Sequence, residues 1–494
     1  MKSLWLATAP PVPADPFAPG ASYDTVVVGA GLTGLTTALL LARRGQKVAV
    51  LEARRAGAVT TGNTTAKVSL LQGLQLSSIS SHQGADGVRG YVEANRAGRD
   101  WLLEFCREHG VDHDLRTAYT YANSDKGRQS LEKELSAATG AGLPVRMTRE
   151  TELPFEVSGA LELPGQAQIH PLQALAALAA EFRAGGGTLV QGVRVTGAGT
   201  AAGERIRVIT SSGSVSAQHL VLATGIPILD RGGYFARLLP LRSYAAAHPV
   251  QGEVPQGMYL SVDAPSRSLR TARVDGTDYL ISGGNGHAVG RHPHPQALVD
   301  DLADWTVRHF PVSAPAYAWS AQDYEPAAGL PYVGKVPFGN GSILAATGFN
   351  KWGMTNAAAA ALGMSDAITP AAVEHPARNW YQPKLSSRDV LSAVRDNAEV
   401  GLAMLAGWAS SMAGTDESAP PEGQGKVVRR NLKPVGICTV DGDVSRVSAV
   451  CPHLGGVLGW NDAEASWDCP LHGSRFAADG TLLEGPAVRG LDRA

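Results

Sequence analysis

Apolar and polar positions along this chain follow two periods, and the change between them marks the elements. From Thr25 to Val28 four β-branched residues run together, the pattern of a buried strand. Leu35 to Arg44 carries apolar residues at helical spacing and stops at Gly45, and Val48 to Leu51 is again a short apolar run. Tyr91, Trp101, Leu102, Leu103, Phe105, Leu131 and Leu135 predict largely helical structure across residues 90–140. Residues 169–183 predict a clearer helix, with Pro171 in its first turn and glycines 185–187 beyond its end. Strands are predicted at 188–190, 193–195, 205–210 and 220–222. Short alternating runs at 242–246, 258–262, 268–274 and 278–282 predict a second, largely antiparallel sheet. A strand at 341–346 leads into an Ala-rich helix at 356–368 with Thr355 as its N-cap. Residues 387–405 predict an amphipathic helix, expected to pack on protein because its other face is mixed in charge. From Lys426 the composition turns β-rich.

Composition adds exclusions. Of 494 residues, 43 are basic and 45 acidic, a formal net charge of −2, with no basic stripe to bind nucleic acid. The four cysteines, Cys106, Cys438, Cys451 and Cys469, are too few for a disulfide framework. Cys106 and Cys438 read as packing residues. No apolar run reaches the roughly 20 residues that cross a bilayer, so a cytoplasmic protein without a transmembrane segment is expected. Residues 1–22 read as an extended arm on the surface, since prolines at 10, 11, 13, 16 and 19 interrupt a short apolar patch. The expected division is a main body at 23–380, a connecting helix at 381–412, a Pro/Gly-rich linker at 413–424 and a β-rich domain at 425–494. Within the body, segments of about 23–88, 165–234 and 321–375 are expected to form one unit, and about 89–164 with 235–320 a second.

The chemistry begins at Gly29, Gly31 and Gly34, in GxGxxG spacing between a strand and a helix. The first glycine makes the turn, the second admits a pyrophosphate, and the third packs helix on strand; Glu52, ending the next strand, suits a ribose. The alternative is a βαβ unit whose glycines serve packing alone. Residues 54–67 (RRAGAVTTGNTTAK) offer short hydroxyl donors and Lys67 to a phosphate or a flavin edge, or else form a polar loop with a helix N-cap at Thr64 or Thr65. GAGTAAG at 197–203 is a hairpin loop, because strands flank it and no helix follows; this leaves no separate nicotinamide unit.

GAGLTG at 29–34, Glu52, TTGNTTAK at 60–67, ATG at 223–225, GLPYVG at 329–334 and GFNKWGMT at 348–355 together resemble the D-amino-acid-oxidase-like, or glycine-oxidase-like, flavoenzymes. The resemblance covers about residues 23–375. It implies an α/β Rossmann-like FAD-binding domain, made of the segments at about 23–88, 165–234 and 321–375, with an antiparallel-sheet substrate domain made of about 89–164 and 235–320. It implies that FAD is held by Gly29, Gly31, Leu32, Thr33 and Gly34, by Glu52, Ala53 and Arg54, and by Thr61, Asn63, Thr64, Thr65, Ala66 and Lys67. The main chain at Val193 would lie by the adenine. Ala223, Thr224 and Gly225 return to the dinucleotide, and Gly348, Asn350, Lys351, Trp352, Gly353, Met354 and Thr355 lie under the isoalloxazine. Substrate is then oxidised at a C–N bond by hydride transfer to the flavin. Relatives often grip a substrate carboxylate with arginine, for which Arg242 and Arg270 are the candidates, with Tyr244, His287 and Lys351 as further catalytic candidates; a structural salt bridge is the alternative for each arginine.

The last domain carries Cys451-Pro-His453-Leu-Gly-Gly and Cys469-Pro-Leu-His472-Gly-Ser, with fifteen residues between His453 and Cys469. Two thiolates and two imidazoles so spaced hold a [2Fe–2S] cluster, cysteines on one iron and histidines on the other. A zinc site has the right donor types but not these flanking loops. The stretch resembles an all-β Rieske domain. Relatives often clasp the loops with a disulfide; the corresponding positions here are Gly456 and Leu471, so no clasp forms. Ser474 remains as a donor to the cluster, and Phe476 stands where high-potential relatives place a tyrosine, which implies a potential below the top of the roughly −150 to +300 mV Rieske range.

Together these imply an FAD-dependent dehydrogenase of an amine or amino acid that passes electrons through the cluster to an external acceptor, a ferredoxin-like protein or a quinone. The alternatives are a reductase or oxygen-activating flavoenzyme fed through the cluster, and a redox sensor without turnover.

Overall fold

The computed structural model describes residues 1–200, 205–229, 231–337, 339–370, 408 and 416–494. Strand Ser22–Val28 lies inside a parallel array, with Val48–Leu51 and then Thr188–Val190 on one side and Gly213–Leu222 and Ile343–Thr347 on the other. The strand is apolar at consecutive positions because both its faces are covered. Val27, with Val50 and Val221, enters the core shared with helices Leu32–Arg43, Pro171–Ala184 and Gly353–Ile368. Val26 and Val28 enter a second core with Val195, Ile206 and Val208. Strands Val195–Thr200 and Ile206–Thr210 pair antiparallel, as a hairpin requires, and 201–204 between them lie outside the described residues.

A second sheet runs in the order Tyr317–Pro326, Leu238–Pro249, Thr277–Ala288, Arg267–Val274, Met258–Ser261, His113–Ala122, Gly159–Ile169 and Lys67–Val68. Its pairings are antiparallel except that Met258–Ser261 runs parallel to His113–Ala122. The strand His113–Ala122 corrects the expectation of helix across 90–140. Helices Gln75–Glu108 and Asp125–Gly140 flank it, and its edge-to-edge pairing with distant residues is what fixes it as a strand.

The N-terminal arm is also corrected. Leu4–Thr8 is a helix with Leu4 and Trp5 buried, not an extended surface segment. Ser3 Oγ donates to the Gly62 carbonyl at 2.5 Å, and Trp5 Nε1 to that of Thr64 at 2.7 Å, so the arm grips the 60–67 loop from behind. In that loop a helical turn spans Thr60–Asn63, so Thr64 and Thr65 follow it instead of capping a helix start. The expected helix at 387–405 lies outside the described residues, as does most of the 381–412 connection.

The C-terminal part holds two antiparallel sheets. One comprises Gly425–Arg430, Lys433–Val440 and Asp443–Ser448; the other comprises Gly459–Asn461, Ser466–Asp468, Arg475–Ala477 and Leu482–Glu484. Trp467, Phe476, Cys438 and Leu471 pack between them. No described helix is long and apolar enough to cross a membrane.

Candidate active site and cluster centre

A cavity of about 340 Å³ opens at the carboxyl ends of the parallel strands. Two helices begin at its wall. Leu32–Arg43 starts after Gly31, and Gly353–Ile368 after Trp352, and neither start has a side-chain cap. The Leu32 amide donates to Thr61 Oγ1 at 3.1 Å, and the positive ends of both helices face the same space, one suited to a pyrophosphate and the other to an electron-rich ring carbonyl. The glycine roles are steric. A Cβ at Gly34 would lie 1.9 Å from the Gly29 carbonyl oxygen, and Gly29 sits at φ 102° with the Ala223 carbonyl 2.5 Å from its own Cβ position. Glu52 accepts from the amides of Ala30 (2.9 Å) and Arg54 (2.8 Å), and burial raises its carboxyl pKa. These features fit a dinucleotide.

The cavity lining brings together Gly29, Gly31, Leu32, Thr33, Glu52, Ala53, Arg54, Thr61, Asn63, Thr64, Thr65, Lys67, Ala223, Thr224, Gly225, Gly348, Lys351, Trp352, Gly353, Met354 and Tyr244. Other candidates lie behind that wall. Gly34 packs the helix. Ala66 is buried at φ 57°, and Asn350 donates to the Gln75 side chain at 2.9 Å. The Val193 amide donates to the Glu52 carbonyl, while its neighbours Arg194 and Val195 reach the cavity. Thr355 lies inside its helix, bonded to Asn95 and Gln72, so it is not the N-cap. Lys67 lines the cavity with its Nζ already engaged: it donates to the Tyr259 carbonyl (2.7 Å) and Ser268 Oγ (2.6 Å), and burial, with Arg270 nearby, lowers its pKa to about 7.

Neither candidate arginine lines the cavity. Arg270 is buried and donates to the carbonyls of Thr65, Ala66, Ile169 and Thr271, which anchor it as a tie between the cofactor loop and the sheet. Arg242 is 1% exposed and meets Glu464 of the C-terminal domain at 2.6 Å, with Ser320 and Gln322 beside it. Tertiary partners had claimed both guanidinium groups. His287 also stands outside the lining; its Nε2 shares a 3.2 Å hydrogen bond with the Tyr244 hydroxyl and its Nδ1 one of 2.9 Å with the Ala288 carbonyl. Burial lowers the His287 pKa, which favours the neutral ring.

Among the lining residues not anticipated are Asp323 and Tyr324, from strand Tyr317–Pro326. Asp323 accepts from the amides of Tyr324 (2.7 Å) and Lys351, and burial raises its pKa to about 6. Nothing in the local sequence marks this acid, because alternation along an edge strand tells the face and not the neighbour across the cavity.

The four cluster candidates converge. The side chains of Cys451 and Cys469 come within hydrogen-bonding reach of each other, and the imidazoles of His453 and His472 stand 5.2 Å apart at 87°. The two loops repeat one backbone pattern. Cys451 N donates to the Gly456 carbonyl and Gly455 N to that of Cys451; Cys469 N donates to the Ser474 carbonyl and Gly473 N to that of Cys469. Gly455 (φ 76°) and Gly473 (φ 80°) occupy equivalent left-handed positions. Among the described residues no three His, Cys, Asp or Glu side chains converge on one metal point, which a cluster with two protein ligands per iron does not require. The Ser474 hydroxyl lies beside Cys451 and accepts from the Ala487 amide at 3.0 Å. Where relatives place a disulfide, the Leu471 side chain lies 2.6 Å from a Cβ position at Gly456, so packing fills that space.

The cluster loops dock on the flavin-side sheet. Phe235 sets its ring edge-on to His453 (5.6 Å) and His472 (5.1 Å). A Cβ at Gly290 would lie 2.8 Å from Pro470 N, and Arg291 donates to the Pro470 carbonyl at 3.1 Å. Leu483, Glu484 and Gly485 complete one wall of the cavity itself, beside Arg194, which donates to the Leu482 carbonyl.

Residues 24–367 match the model of the FAD dependent oxidoreductase family, and residues 411–493 that of the Rieske [2Fe-2S] domain. The chain is 32% identical over 475 residues, 95% of its length, to the Bacillus subtilis (strain 168) protein YhfW, named as a Rieske 2Fe-2S iron-sulfur protein, of which 92% is covered. Its fold is similar to that of glycine oxidase from Geobacillus kaustophilus (TM-score 0.61, 19% identity, 74% of this chain and 99% of that one). It is also similar to the L-amino acid deaminase of Proteus myxofaciens (TM-score 0.60, 16% identity, 78% of this chain and 98% of that one). The two domains bind FAD and a [2Fe–2S] cluster respectively.

Proposed function

We propose, for a chain that belongs to the FAD-dependent oxidoreductase family and carries a Rieske [2Fe–2S] domain, that it dehydrogenates an amine or amino acid and delivers the electrons to an external one-electron acceptor. FAD supplies the hydride acceptor and the cluster supplies one-electron transfer. The residues of the chain hold and shield these groups. Glu52 accepts from ribose hydroxyls, the helix starts at Leu32 and Gly353 face the anionic parts, and Leu241, Ala245 and Leu260 exclude water. With Arg242 and Arg270 engaged elsewhere, a substrate carboxylate meets Lys351, and a substrate ammonium meets Asp323.

What supports direct exchange between the two centres is that the cluster domain forms part of the cavity wall through Leu483 to Gly485. The reading is tested by mixing the oxidised protein anaerobically with a panel of amines and amino acids. Bleaching of flavin and then cluster is the expected result. Reduction by a ferredoxin-like donor alone would reverse the direction of flow, and bleaching by neither would leave no turnover.

A further inference from the structure

Two residues connect the cavity to the cluster loop. Tyr324 lines the cavity, and Gly473 directly follows His472. Between them stands Gln322, 2% exposed. Its Nε2 donates to the Tyr324 hydroxyl at 2.9 Å and to the Gly473 carbonyl at 2.8 Å. Its Oε1 accepts from Arg242 at 2.9 Å, and Arg242 in turn holds Glu464 of the cluster domain. Every polar atom of the amide is thus used, which fixes which way the amide faces. The loop is shaped to meet it: a Cβ at Gly473 would lie 2.7 Å from the Gln322 nitrogen and 2.7 Å from Pro240.

We propose that Gln322 is a positioning residue for electron exchange between the flavin and the cluster, acting as the side chain that hydrogen-bonds both the cluster loop at Gly473 and the Tyr324 wall of the cavity. This rests on the reading that the two centres exchange electrons, and it holds for either direction. One iron passes from ferric to ferrous as the flavin loses one electron and releases a proton to solvent, and no bond of the chain changes. A leucine at 322 fills the space but makes neither hydrogen bond, so the loop keeps its contacts with Arg291 and Phe235 and loses its direct tie to the Tyr324 wall.

The test uses the full chain with both cofactors. A flash of photogenerated deazaflavin radical reduces the flavin, and absorbance follows the electron to the cluster. In Gln322→Leu the transfer rate falls by about tenfold or more. FAD content, the cluster's electron paramagnetic resonance spectrum and its midpoint potential stay as in the parent. Tyr324→Phe slows transfer as well, and the double variant is no slower than the slower single one, because both act on one link. A rate within about twofold of the parent, or strictly additive single effects, would overturn the assignment. So would a changed spectrum or potential in Gln322→Leu, which would mark a disturbed cluster fold. If the parent protein itself shows no transfer, the functional reading fails, and that result is distinct from any of these.

Discussion

The cluster loops and the flavin cavity are built in opposite ways. Each cluster loop is six residues long, and both use one hydrogen-bond pattern with a left-handed glycine at the same place, so the ligands of each loop are set by local geometry. The cavity draws on the first βα turn, the 57–67 loop, five further strands of the second sheet, the 348–354 loop and the end of the cluster domain. A local site survives change elsewhere and fails at a ligand. A distributed site is sensitive to the contacts that hold its pieces together.

The largest effect should come from Cys469→Ser. It removes a thiolate ligand and abolishes the cluster's paramagnetic signal on reduction, while the flavin absorbance remains because the FAD-binding segments at 29–67 and 348–354 are untouched. Loss of both chromophores would show the cavity depends on the cluster itself. Next is Glu464→Ala, which leaves Arg242 buried without its carboxylate. Burial alone would raise the Glu464 pKa, but Arg242 and Arg475 hold it down to about 2. Stability should fall by about 3–5 kcal/mol in a denaturant melt, and the cluster spectrum should be unchanged. That interdomain support should also weaken on acidification, since a depressed carboxyl contributes above its unfolded pKa, about 4.5, and is lost as the pH falls toward 2.

Gly34→Ala should cost about 2–3 kcal/mol, read as weaker FAD binding by fluorescence titration, because its Cβ would meet a backbone oxygen that cannot rotate away. Asp323 gives a smaller and pH-specific effect. With its folded pKa raised from 3.8 to about 6, the folded protein keeps a proton that the unfolded chain releases, so the stability of FAD-free protein falls as pH rises through that window. Asp323→Asn should flatten that slope, a change of about 1–2 kcal/mol in thermal melts at the two ends of the window. Smallest is Phe476→Tyr. One added hydrogen bond of about 1 kcal/mol would raise the cluster potential by about 40 mV in a redox titration, and no change would remove the hydrogen-bond account.

The same contrast explains what could be read from residues alone. The parallel strands, the glycine roles, the short loops and the four cluster candidates are local, and their periods and spacings carry them. Strand His113–Ala122 was missed because its aromatic and β-branched residues sit between two helices, and only pairing with Gly159–Ile169 decides it. Arg242 and Arg270 looked alike as candidates, and only their surroundings distinguish a cavity residue from a buried tie.

By itself the amino-acid order determined that this chain holds an FAD site and a [2Fe–2S] site, because each rests on short-range backbone geometry and ligand spacing. Only the tertiary structure decided that Glu464 takes Arg242, that Asp323 faces the cavity and that Gln322 joins it to the cluster loop. Those relations depend on which faces of distant strands meet across an interface, and no periodicity within one segment encodes the identity of its neighbour.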